Sequence, residues 1–66
     1  MKKYNRALSK VIQSSGYIQK RSKTHYIFEN EHGQQVVTAK TPKVQELAIK
    51  RVIKQIAKNK LLLLLA

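Results

Sequence analysis

Apolar residues fall along this chain in two rhythms, one at its ends and another in its middle. Near the N-terminus Tyr4, Leu8, Val11 and Ile12 recur at spacings of four, three and one. That spacing lines them up on one face of a helix over residues 3–15, with Lys3, Arg6, Lys10 and Gln13 on the other faces. Ser14, Ser15 and Gly16 end it, and Gly16 suits the left-handed position that closes many helices.

The rhythm then shortens to two. Residues 17–21, 26–30 and 35–40 read as strands, the third marked by Val36, Val37 and Thr38. The first connection is a cationic tip at residues 22–24; the second is a turn at residues 31–34, where Gly33 supplies the positive φ such hairpins need. In the second strand Tyr26 and Phe28 share one face, and His25, Ile27 and Glu29 share the other. His32 falls in the turn and reads as solvated.

The longer rhythm returns after Thr41-Pro42, a pair suited to opening a helix. From about Glu46 the pattern is helical, with Ile49, Val52, Ile53 and Ile56 as the apolar stripe. Lys50, Arg51, Lys54 and Lys58 occupy the other faces and read as solvated. The tail at residues 61–66, five leucines and Ala66, is far short of the ~20 apolar residues that span a bilayer. If the helix continues, these leucines point all ways round it, and some are exposed unless a partner covers them. A dimer contact, a partner's groove, packing on the sheet and a frayed end all fit.

The element order predicts an α+β fold: a two-layer αβββα domain, its three-stranded antiparallel sheet carrying both helices on one face. With 66 residues and no repeat or linker, residues 1–66 form one domain. Large cofactor pockets and dinucleotide folds are excluded at this size. The chain has no cysteine and no aspartate, and only two histidines, so no disulfide, metal site or cofactor is expected. No apolar run follows the first basic residues, so neither a secretory signal nor a membrane anchor is expected, and the cytoplasm is the expected compartment.

Charge narrows the partners. Fourteen Lys and Arg against three Glu give a net charge of +11. Such an excess raises the local concentration of polyanions, and it lies on a folded pattern rather than in a tail. Nucleic acid is the first partner it suggests; an anionic membrane surface or an acidic protein also fits. His25 stands at the mouth of a strand with Lys20, Arg21 and Lys23 near it in sequence. Two readings fit it: a proton carrier beside a phosphate site, or a partly exposed strand residue with no task.

Taken in order, Gly16-Tyr17-Ile18, Arg21, Lys23-Thr24-His25-Tyr26-Ile27-Phe28, Gly33, Val36-Val37-Thr38 and the stretch from Ala48 to Ile56 resemble the HicA-type mRNA interferase toxins. The resemblance covers about residues 4–57. It implies a double-stranded-RNA-binding-domain-like fold and the toxin of a type II toxin–antitoxin system, a metal-independent endoribonuclease acting on mRNA. The family's catalytic histidine falls on His25. Lys23 and Lys40 would then stabilise phosphate, Lys20 and Arg21 would hold the RNA strand, and Thr24 would join them in binding RNA. The implied partners are RNA and a HicB-type antitoxin. Lys23 and Thr24 stand where the family has glycine and serine, and residues 39–42 lack the histidine of its Pro-x-His segment. The implied chemistry therefore uses one histidine and is slow. Two other function classes fit the same residues. One is a non-catalytic RNA- or DNA-binding module on the same fold. The other is an interaction protein that docks through its leucine tail.

Overall fold

The computed structural model describes residues 2–20 and 23–65. Its elements run α1 (Lys2–Ser14), β1 (Ile18–Lys20), β2 (His25–Glu29), β3 (Gln35–Ala39) and α2 (Gln45–Leu65). The strands form one antiparallel sheet in the order β1-β2-β3. The expected α+β architecture is the one observed.

Local chemistry sets each junction. Helix α1 closes with the Tyr17 N–H donating to Ile12 O at 3.0 Å and the Gly16 N–H to Gln13 O at 3.2 Å. Gly16 has φ of 79°, so this is the closure the sequence pattern called for. In the β2–β3 turn Asn30 does most of the bonding. Its Oδ1 accepts from the His32 N–H at 3.0 Å and the Gln34 N–H at 2.9 Å, while Gly33, at φ 77°, turns the chain back. The expected tip at 22–24 lies partly outside the described residues, as does Arg21.

The core lies on one side of the sheet. Tyr4, Leu8 and Ile12 from α1, Tyr17, Phe28 from β2, Val36 from β3, and Ala48 and Val52 from α2 are all buried. Ile49 of the expected α2 stripe is half-buried against this core, and Ile56 likewise. Ile53 is 49 % exposed, and Ala48 takes the inward position instead. The reason is that α2 lies along β3 rather than across the sheet, which turns a different arc of the helix inward.

That placement shows in the hydrogen bonds. β3 is an edge strand, and its outward main-chain groups are met by helix side chains instead of a fourth strand. Asn59 Nδ2 donates to Gln35 O at 3.1 Å, Gln55 bonds Val37, and Tyr4 Oη donates to Ala39 O at 2.7 Å. Covering the edge in this way removes a template for pairing with other chains.

Two boundaries differ from expectation. Helix α2 begins at Gln45, with Val44 O accepting the first bond from the Ala48 N–H at 3.1 Å. Thr41 and Pro42 belong instead to the segment that carries the chain from β3 to the helix. At the far end the helix continues through the leucines to Leu65. Leu64 and Leu65 are each 75 % exposed, and Leu63, 40 % exposed, lines with Tyr17 and Ile56 a hollow beside the end of α1.

Candidate functional site

His25 is the first residue of β2 and stands opposite Ala39. Strand alternation puts it on the face away from the core, with Ile27 and Glu29, as the sequence pattern indicated. Its ring is exposed, and its Nδ1 lies 3.1 Å from Thr24 Oγ1. When Nδ1–H donates to that hydroxyl, Nε2 carries the lone pair and can accept a proton.

His25 lines one end of a cleft of about 520 Å³. The cleft runs between the His25 end of the sheet, the 41–44 segment and the first turns of α2. Thr41, Lys43 and Arg51 are the other exposed polar residues along it, and Pro42, Val44 and Leu47 supply much of its apolar wall. None of the described lining residues is acidic. Of the three glutamates, Glu29 sits 3.5 Å from Lys20 Nζ, Glu31 lies 3.4 Å from His32 in the turn, and Glu46 is exposed outside the cleft. The cleft is therefore a positively charged hollow with an apolar wall and a histidine at its lip.

The structure brings together only part of the expected site. Thr24 is exposed, and its hydroxyl meets the His25 ring. Lys23 is exposed near the start of β2, outside the cleft lining. Lys20 lies on β1, engaged with Glu29. Lys40 follows β3 on the other side: its Nζ donates to Lys23 O at 3.1 Å and lies 5.6 Å from the centre of the Tyr26 ring. It does not line the cleft with His25. Arg21 lies outside the described residues.

Arg51 and Lys43 are the cations that do line it, and the sequence reading had placed Arg51 on a solvated face. Arg51 lies four residues after Leu47 and one before the buried Val52, on the flank of the apolar stripe. That flank position is a signal, but only the rotation of α2 against β3 decides which flank meets His25. Among the described residues no group of three or more His, Cys, Asp or Glu side chains could hold a metal ion. No described helix is long and apolar enough to cross a membrane. No family model, no curated protein and no solved structure matches this chain.

Proposed function

We propose that the protein binds RNA through its basic surface and cleaves it slowly without metal, with His25 as the proton carrier. The observation that carries this reading is the position of His25 at the lip of a cleft whose charged lining residues, among those described, are the cations Lys43 and Arg51. In the reaction the ribose 2′-oxygen attacks the adjacent phosphorus. His25 Nε2 takes the 2′ proton as the new P–O bond forms. The P–O bond to the 5′-oxygen breaks, and water at the open lip protonates that oxygen. The products are a 2′,3′-cyclic phosphate and a 5′-hydroxyl. Arg51 and Lys43 stabilise the charge that builds on the phosphorane.

The resemblance to HicA-type toxins supports the same reading. On that resemblance the protein would be a cytoplasmic, mRNA-cleaving toxin on a double-stranded-RNA-binding-domain-like frame, held inactive by a HicB-type antitoxin. A net charge of +11 suits an acidic partner of that kind. A non-catalytic RNA- or DNA-binding module on the same fold is the second reading. It is favoured by the hydroxyl, rather than carboxylate, partner of the His25 ring and by the lack of a carboxylic acid among the described residues that line the cleft.

The experiment is cleavage of one structured mRNA by wild type, His25→Ala and His32→Ala, with and without EDTA. Wild type and His32→Ala are expected to cleave in EDTA. His25→Ala is expected to lose the 10²–10⁴-fold that a positioned proton carrier typically supplies, roughly abolishing the signal while RNA affinity stays. Undiminished cleavage by His25→Ala rejects its role; no cleavage by wild type moves the assignment to the binding module.

A further inference from the structure

We infer that the cleft beside His25 takes one unpaired nucleotide, its phosphate held by Arg51 and its base set against Val44 and Leu47, so that the protein selects single-stranded over duplex RNA with little preference for the base. The inference rests on the RNA-binding reading above and adds the form of the substrate. Its first ground is size and lining. A hollow of about 520 Å³ lies within the ~300–1,000 Å³ usual for small-ligand sites. It is walled by apolar side chains and edged by cations, which matches the two halves of a nucleotide.

The second ground is the exposure of that wall. Val44 is 57 % and Leu47 44 % exposed, at the start of a helix whose Ala48 and Val52 are buried in the core. An A-form duplex keeps its base faces stacked inside, and offers a protein mainly phosphates, 2′-hydroxyls and groove edges. Val44 and Leu47 gain apolar contact only from a base that has left the stack. The tolerance for base identity follows from the apolar wall, because contact with a base face is open to every base. Gln55 also lines the cleft, and its amide is held against the main chain of Val37 at both ends.

The test is a titration of the full chain with a short labelled single-stranded RNA and with the blunt duplex of the same sequence. Wild type is expected to favour the single strand. Arg51→Ala is expected to weaken single-strand binding about tenfold or more, the loss of one hydrogen bond to a charged group, with part of the affinity restored in Arg51→Lys. Lys50→Ala removes the same charge from an exposed α2 position outside the cleft and is expected to weaken both RNA forms alike, and by less. Leu47→Ser is expected to weaken the single strand while leaving the duplex unchanged. Equal losses in Arg51→Ala and Lys50→Ala, or equal loss on both RNA forms in Leu47→Ser, overturn the inference and leave the RNA-binding reading standing. Failure of wild type to bind either RNA at low salt overturns both.

Discussion

Gln55 holds Val37 by both of its main-chain groups: Oε1 accepts from the Val37 N–H at 3.0 Å, and Nε2 donates to the Val37 carbonyl at 3.0 Å. One amide side chain thus does for the edge of β3 what a paired strand residue would do. It also fixes α2 against the sheet at the level of the cleft, because Gln55 and Arg51 lie one turn apart on the helix.

Gln55→Leu removes both bonds. At about 0.5–1.5 kcal/mol net for each, the loss is about 1–3 kcal/mol. Gln55→Glu keeps the shape but sets a carboxylate oxygen against the Val37 carbonyl, so it is expected to cost at least as much. Urea denaturation followed by circular dichroism reads both. An unchanged midpoint in the two variants shows that the edge contact contributes nothing to stability.

Tyr4 is the matching contact at the other end of β3. It is 2 % exposed, and its hydroxyl donates to Ala39 O at 2.7 Å with Thr38 Oγ1 at 3.2 Å. Tyr4→Phe keeps the packing and leaves the part-buried Ala39 carbonyl and the buried Thr38 hydroxyl short of a partner. The expected destabilisation is about 1–3 kcal/mol, the cost of an unmet buried polar group. A midpoint equal to that of wild type rejects it.

Thr24 is expected to act through His25. Thr24→Val removes the oxygen 3.1 Å from Nδ1 and releases the ring from one orientation. The cleavage rate is expected to fall several-fold with RNA affinity unchanged, and Thr24→Ser is expected to restore it. A shift confined to KM, or failure of serine to rescue, shows that the threonine only supports the strand.

Binding is expected to weaken steeply with salt. Neutralising five phosphates gives a log–log slope of roughly −3.5 to −4.5. Titrations at a series of salt concentrations measure it, and a flat profile removes the charge-driven reading of the +11 surface.

The leucine tail is expected to matter for association rather than for folding. Leu64 and Leu65 are each 75 % exposed, so Leu64→Lys with Leu65→Lys should leave stability within about 0.5 kcal/mol for each change. Leu8, 3 % exposed in α1, is the contrast: Leu8→Ala is expected to cost about 2–5 kcal/mol. Sedimentation at high protein concentration should show less self-association in the double lysine variant than in wild type.

Much of this protein is readable in its sequence because the deciding forces are local. Tyr4, Leu8 and Ile12 share a helix face by spacing alone. Gly16 and Gly33 take left-handed positions that side-chain-bearing residues rarely adopt. Alternation along β2 puts Tyr26 and Phe28 inward and His25 outward whatever the strand packs against. What the tertiary structure decided is the rotation and placement of α2. A helix can bury any of several overlapping apolar arcs, and here the amides of Gln55 and Asn59 dock on the edge of β3. That docking turns Ile53 outward, buries Ala48 and brings Arg51 to the cleft that His25 lines. It leaves Lys40, a neighbour of His25 in the expected site, over the Tyr26 ring instead. No spacing within α2 encodes this choice, because it depends on hydrogen bonds between residues 18 and 24 positions apart in the chain.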